Sequence, residues 1–388
     1  MKTKFKEIPK HIDKKEGLCC FNKNLDKLDK VSLLKNNFVL EEKDDYINIY
    51  FTKKSNFNIF KDYKNFYYMD GFSPNLNKEL HIGHFSNLII AKALQKLGIV
   101  KKTISMLGDT LEGNISNKEG FRLFKNIIKT FNYKVSRIFF ASKLKYQGKL
   151  EEGKGKYEGT KIFDTNEELI VAIKKDGTTS YTYHDIALAK KLVKDTLYLT
   201  GYEQKEHFNK IKKVFKNVHH FPLGLVKISN SKMSTREGNI ILIKDILDEL
   251  NKTFKNNKLS YNVFAGYILK SSPNTDKNIN IKNIYNYKNS PGLYLSYTTA
   301  RLLSAGCKIL PFKITNNKLL EYYFILSKNE LNPSLLFNKL IDCCKTLNTL
   351  YETIKIKGNL KNKINMSIKL TELNYYMKKI GLYLIKKV

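Results

Sequence analysis

The sequence predicts an α/β protein: a Rossmann-like parallel sheet with an insertion, followed by an all-α region. Three observations carry this. First, an apolar run, FYYMDGFS (66–73), precedes a helical period with apolar residues at Leu88, Ile89, Ala91, Leu94 and Leu97, and a second strand-like run, KKTISMLGD (101–109), follows. Strand, loop, helix and strand in that order open a parallel sheet, because parallel neighbours need a crossover between them. Second, DTLYLTG (195–201) with the helical KEHFNKIKKVFKN after it repeats the alternation. Third, beyond about residue 245 the pattern turns to helices joined by short Lys/Asn loops.

Taken in order, residues 1–60 are charged and irregular, with one strand-like piece, YINIYF (46–51), and read as a short N-terminal extension. The sheet falls in 61–245. Within it, 110–165 is mixed and Lys/Gly-rich and reads as the insertion. EELIVAIKKDGTTSYTYHDIALAKKL (167–192) reads as a strand, a tight turn at Asp176-Gly177, a strand and a helix. Residues 246–388 form the helical region. No internal repeats are visible.

A chain of 388 residues supports two or three domains, and a hydrophobic content of 42% excludes a disordered chain. The formal net charge is +33, from 69 Lys+Arg against 36 Asp+Glu. Such an excess points to a polyanionic partner such as nucleic acid, although AT-biased coding, which enriches Lys, Asn and Ile, produces it equally. No apolar run reaches the ~18 residues of a membrane span, and the Lys-rich start has no signal-peptide core. A cytoplasmic protein without a membrane partner is therefore expected. Cys19, Cys20, Cys307, Cys343 and Cys344 make neither a disulfide framework nor a C-x-x-C, so reduced thiols, several of them buried, are expected.

The stretch SPNLNKELHIGH (73–84) joins the first strand to the first helix. His81 and His84, three apart, share one face of a helix's first turn. A helix N-terminus offers unpaired N–H groups and a positive dipole end. Gly83 leaves room for close approach to the backbone, and Lys78 lies three residues before His81. Together they form a cradle for a triphosphate and for charge developing during its cleavage. GKLEEGKG (148–155) and GKGKYEG (153–159) approach phosphate-loop patterns but miss them, at Gly155 and by one residue respectively, and read as surface loop.

A second motif, SKMSTREGN (231–239), follows about 150 residues later. H-I-G-H with a later K-M-S is the motif pair of class I aminoacyl-tRNA synthetases. The chain resembles the arginyl-tRNA synthetases among them, whose first motif is S-x-N-x-x-K-x-x-H-x-G-H and whose second is K-M-S-T-R-K-G-N. DGTTSYTYHDIALA (176–189), YEQKEHF (202–208) and PGLYLSYTTARLLS (291–304) are similar, in order, to further family segments. The resemblance runs from about Tyr46 to the end, with a weakly matching middle.

The resemblance implies a catalytic parallel-sheet domain and a helical anticodon-binding domain. It implies arginine activation by ATP, with Mg2+ and no tightly bound metal, and transfer to tRNA(Arg) by a monomer. His81, His84, Lys78 and Lys232 would be catalytic, with Gly83, Met233 and Ser234 at ATP. Thr235 stands where other class I enzymes have a second lysine, which Lys78 would replace. Asp70, Ser73, Asn75, Tyr181, Asp185 and Gln204 would bind arginine, a cation that calls for paired carboxylates. Asp185 reads equally as a helix N-cap. Tyr294, Tyr297 and Arg301 form one helical stripe, for tRNA or for core packing.

Departures from the family are GDTLEG (108–113) for G-D-W-G-x-Q, Tyr183-His184-Asp185 for T-R-D, Glu237 for a lysine, and the short N-terminus. They leave a second reading, an impaired paralogue that binds tRNA. A small nucleotidyltransferase is a third, disfavoured by the helical region and the arginine-pocket residues.

Overall fold

A computed structural model describes residues 19–22, 32–43, 46–51, 54–56, 59, 64–110, 113–163, 169–229, 242–280, 284–286, 289–311 and 317–388. The N-terminal part forms an antiparallel sheet of β1 (Cys19–Asn22), β2 (Phe38–Lys43) and β3 (Tyr46–Phe51), in the order β1-β3-β2. Only β3 is legible in sequence, since β1 is four residues long and β2 carries no sustained alternation. Leu33 and Phe38 anchor this unit against Tyr322, Ile325 and Leu326 of the helical region.

The main sheet begins with β4 (Phe66–Asp70), helix α1 (Ile82–Leu97), β5 (Val100–Leu107), α2 (Asn117–Thr130) and β6 (Arg137–Phe140). A side sheet follows, antiparallel, of β7 (Glu151–Glu152), β8 (Lys161–Phe163) and β9 (Ile170–Ile173). Then come α3 (Tyr181–Leu192), β10 (Thr196–Gly201), α4 (Lys205–Val214) and β11 (Val218–Leu223). All five main strands are parallel, in the order β11-β10-β4-β5-β6.

Residues 110–165 are therefore not one insertion. Within them α2 and β6 complete the parallel sheet, and the side sheet starts only at β7. Lysines dilute the composition of α2, but Phe121, Phe124, Ile127 and Ile128 recur at helical spacing and pack on the core. The strand order reverses at β4: the chain runs one way through β5 and β6, then returns to the other side with β10 and β11. Such a switch point opens a crevice at the carboxyl ends of the strands.

Beyond β11, β12 (Val226–Ser229) precedes α5 (Ile243–Phe254) and α6 (Asn257–Lys270), and pairs in parallel with β13 (Lys277–Asn280). Further on lie α7 (Pro291–Ser304), α8 (Lys318–Asn329), α9 (Pro333–Thr353) and α10 (Leu360–Lys379). Cys307 and Cys344 are buried among them. Among the described residues no helix is long and apolar enough to cross a membrane.

One continuous core joins sheet and helices, and α1 is its centre. Eleven of the sixteen residues of α1 are buried, on nearly every side, as expected of a helix enclosed by protein. Phe85 stacks on Phe264 of α6 at 4.9 Å and meets Phe131, just past α2, at 5.1 Å. Truncating Phe85 to alanine is expected to cost about 3–5 kcal/mol. Lys92, also on α1, is buried, and among the described residues no carboxylate pairs with it. Its ammonium lies over the rings of Tyr261 and Tyr383 at 4.0 and 4.1 Å and donates to the Tyr383 hydroxyl at 2.8 Å. That hydroxyl in turn donates to the Phe131 carbonyl at 2.8 Å. Asn262 holds the Tyr383 backbone at both its N–H and its carbonyl.

Burial, with Lys96 adding repulsion, pushes the Lys92 amine down to about 7. The unfolded chain then binds more protons than the folded one between about pH 7 and the ordinary lysine range, so stability rises with pH across that window. The melting temperature of the wild type is expected to rise from pH 7 to 9 relative to Lys92→Met, which keeps the apolar stem. Parallel pH profiles for the two proteins would refute this.

Candidate functional site

β4 ends at Asp70, on the inner side of the switch point, where it pairs with Tyr198 of β10. The chain then runs beside the end of β5 through an isolated parallel bridge between Asn75 and Gly108. Gly108 is needed there: a Cβ would come within 1.9 Å of the Asn75 side-chain oxygen. Asp109, the other retained residue of GDTLEG, accepts from the Ser142 N–H at 2.8 Å and from its hydroxyl, pinning the turn after β6.

The first turn of α1 is capped by its own histidines. His81 is the N-cap in extended conformation, and its Nδ1 accepts from the Gly83 N–H at 3.1 Å. Reciprocally, Nδ1 of His84 accepts from the His81 N–H at 3.2 Å. This is a capping box built from two imidazoles instead of a hydroxyl and a carboxylate. A ring nitrogen that accepts carries no proton, so both rings are neutral with the hydrogen on Nε2. Burial lowers both pKa values, for His84 to about 3; Lys78 contributes to both, and His81 to that of His84. The ring centroids lie 3.9 Å apart. Gly83 serves this fold-back as much as any ligand, because a Cβ would sit 3.0 Å from the His81 ring.

A cavity of about 1010 Å³ fills the crevice. Asp70, Ser73, Asn75, His81, Gly83, His84, Asp185 and Gln204 all line it, brought together from β4, the loop after it, α1, α3 and the start of α4. Lys78 is exposed and outside the lining, though its charge reaches both imidazoles. Tyr181 opens α3, but its side chain lies outside the described residues, as do Lys232, Met233 and Ser234 entirely. β12 begins at Val226, a lining residue, and ends at Ser229; the described chain resumes at Leu242, which bridges to His81.

The acidic corner has its own electrostatics. Asp70 is 5% exposed and accepts from the Ser73 hydroxyl, which itself accepts from the Met106 N–H at 2.9 Å. Burial pushes the Asp70 carboxyl up to about 7; the Ser73 bond opposes this and Asp185 adds repulsion. Asp185 is also buried, at 6%. It is not an N-cap: Ser180 caps α3 through the Tyr183 N–H, and Asp185 lies within the helix. Its carboxylate meets Nε2 of His207 at 2.7 Å.

His184, Tyr198, Gly201 and the turn at Thr178–Thr179 also line the cavity and were not anticipated as site residues, nor was His207 behind Asp185. His207 lies in YEQKEHF, where only Gln204 was singled out. On α7, Tyr294 accepts from Asn348 at 3.0 Å, and Arg301 lies 3.9 Å over Tyr351 and 3.7 Å from Glu352. Tyr294 is half-buried against the core and Tyr297 is half-buried on the same face.

Residues 148–262 match the family described as tRNA synthetases class I (R), catalytic domain. The arginine–tRNA ligase of Lactobacillus johnsonii is 26% identical over 309 residues, covering 66% of this chain and 55% of that protein. The arginine–tRNA ligase of Ligilactobacillus salivarius is 30% identical over 191 residues, covering 42% and 34%. The chain thus spans about half the length, or less, of these curated relatives. In structure, Thermus thermophilus arginyl-tRNA synthetase matches with a TM-score of 0.67 at 13% identity, covering 98% of this chain and 96% of that one. The Plasmodium falciparum enzyme matches at 0.62 and 18%, covering 94% and 89%. The fold is that of the arginyl-tRNA synthetases.

The His84 ring is expected to stay neutral, with its hydrogen on Nε2, throughout pH 5–8. Imidazole 15N shifts in an NMR titration report this directly. Protonation near the ordinary histidine value of about 6.5 would refute the capping-box assignment.

Proposed function

We propose that this chain, a relative of the arginyl-tRNA synthetases, activates arginine with ATP to arginyl-adenylate and transfers the arginine to tRNA(Arg). The observation that carries the reading is the pairing, in one cavity, of two buried carboxylates, Asp70 and Asp185, with a helix N-terminus capped by two neutral imidazoles. The first suits a guanidinium, the second a polyphosphate.

In this reading arginine lies with its guanidinium against Asp70 and Asp185, beside Tyr181 and Gln204. Ser73 and Asn75 take its α-amino and carboxylate groups. ATP enters as its Mg2+ complex, the ion travelling with the substrate. Its phosphates meet the Nε2–H donors of His81 and His84, and Gly83 lets them approach the backbone. The arginine carboxylate oxygen attacks the α-phosphorus in line, the bond to the bridging oxygen breaks, and pyrophosphate leaves with that electron pair. The protein forms no covalent bond; it positions and neutralises. Neutral donors suit this role, because they stabilise added negative charge without taking a proton from solvent first. Lys78 supplies positive charge beside them, and Lys232, with Met233 and Ser234, acts at the ATP phosphates. In the second step a hydroxyl of the terminal tRNA ribose attacks the adenylate carbonyl and AMP leaves. The lysine-rich helical region, 246–388, holds the tRNA through its phosphates. Tyr294 and Arg301 are engaged within that region, which favours packing as their main role.

The deciding experiment is charging of total tRNA with labelled arginine, with His84→Ala as control. Charging by the wild type alone supports the reading. Bound but uncharged tRNA would instead favour an impaired tRNA-binding paralogue, with GDTLEG and Glu237 as the first suspects. Lys78→Ala is expected to slow arginine-dependent ATP–pyrophosphate exchange by about 100-fold, the scale of losing one electrostatic donor; near-normal exchange would remove Lys78 from the machinery. The Asp70 carboxyl must give up its proton before it can hold a guanidinium. Arginine affinity is therefore full above about pH 7 and lost as pH falls through it. The KM for arginine is expected to climb as pH falls from 8 to 6, and Asp70→Asn to flatten that profile while raising KM throughout.

A further inference from the structure

We propose that His207 is a positioning residue for arginine: it orients the Asp185 carboxylate from behind, so that one oxygen is fixed to the protein and the other is presented to the guanidinium. The proposal rests on the arginine reading above and deepens it.

The geometry is specific. His207 stands three residues beyond Gln204, in the first turn of α4, so one helix start supplies both a cavity-lining amide and the imidazole behind the acid. Asp185 lines the cavity from the second turn of α3, whereas His207 does not line it. Their contact, 2.7 Å from Nε2 to Oδ2, is the length of a charge-assisted hydrogen bond, and both partners are mostly buried, with side chains 19% and 8% exposed. His207 is itself fixed. Its Nδ1 lies 3.5 Å from the Thr182 hydroxyl, one helical turn before Asp185, and its ring packs edge-on to Phe208 at 5.1 Å. Phe208 in turn stacks on His220 at 4.7 Å and lies tilted against Tyr198 at 5.0 Å. The imidazole is therefore a firmly held donor between α3 and Phe208.

A carboxylate in a buried corner needs such a donor for two reasons. Guanidinium recognition is planar, and a carboxylate free to rotate presents the wrong plane most of the time. Asp185 also repels the nearby Asp70. A hydrogen bond to one oxygen of Asp185 fixes its plane and turns the other oxygen toward the cavity. Asp185 is aimed, while Asp70, pushed up by burial, is the acid that changes protonation when the cation arrives.

Removing the donor should weaken arginine binding without touching ATP or the chemical step. The measurement is steady-state exchange and charging by full-length His207→Leu and His207→Gln beside the wild type. Gln places an N–H near the Nε2 position; Leu fills space without a donor. His207→Leu is expected to raise the KM for arginine by about tenfold or more, with the KM for ATP and kcat within about threefold, and His207→Gln to recover most of the loss. Two results would overturn the proposal: an unchanged arginine KM in His207→Leu, or an equal fall in all parameters for both variants, which marks a fold residue. If His207→Leu fails to fold, His207→Gln against His207→Asn decides. The shorter Asn cannot reach Asp185, so equal arginine KM values for the two would also overturn it. A wild type that charges no arginine defeats the underlying reading instead, and is seen before any variant is made.

Discussion

The structure depends on the burial of α1. A helix enclosed on nearly all sides cannot shift without disturbing the parallel sheet beneath it and the helical region above it. Its N-terminus is therefore one of the most firmly held points in the molecule, and that point is the rim of the cavity. Lys92 shows how far the packing goes. A lysine sits in this interior with two tyrosine rings and one hydroxyl as its partners, because its stem fills the seam between α1 and the C-terminal segment. The same segment is fastened by Asn262 and by the Tyr383–Phe131 bond, so the last residues of the chain, the helical region and the sheet are joined through one helix.

A fixed N-terminus explains the histidines better than their spacing alone does. Spacing places them on one face; the structure shows that each uses Nδ1 to satisfy the other end of the first turn. Capping and ligand recognition are then one arrangement, since spending Nδ1 on the backbone turns both Nε2–H groups outward. A carboxylate cap would satisfy the same backbone donors but leave an acceptor facing the ligand, which is the wrong sign for a phosphate.

Much of this was legible in the sequence, and the exceptions have physical causes. The alternation of FYYMD, the helix from Ile82 and KKTISML fixed the first parallel unit, since apolar periodicity is a local signal. The share of 110–165 that belongs to the main sheet was missed because lysines dilute α2 and β6 is only four residues long. Asp70, Asn75, Asp185 and Gln204 were named in advance from motif positions, and the fold brings them to one cavity. What the sequence did not show is the contact that holds Asp185, because its partner, His207, is 22 residues away and reaches it only through the packing of α3 on α4. Tyr198 and Gly201 gave no signal, and His184 stood out only as a departure from T-R-D. Their place at the cavity follows from the strand order, which no local pattern encodes.

The charge of the chain adds a last constraint. On the proposed reading, a formal +33 draws in ATP and tRNA and repels free arginine, though screening confines that repulsion to roughly 8 Å at physiological salt. Arginine recognition, on that reading, must come from contacts inside the cavity, where the dielectric is low and carboxylates act strongly at short range. The same low dielectric makes paired carboxylates costly before the cation arrives, and the molecule relieves this cost unequally. Asp185 has an imidazole donor; Asp70 has a serine hydroxyl and deeper burial, and takes up a proton near neutrality. On the proposed reading such a site is close to electrically satisfied when empty and becomes fully charged only when a guanidinium is present. A strongly basic protein would then hold a basic substrate without carrying two uncompensated acids in its core.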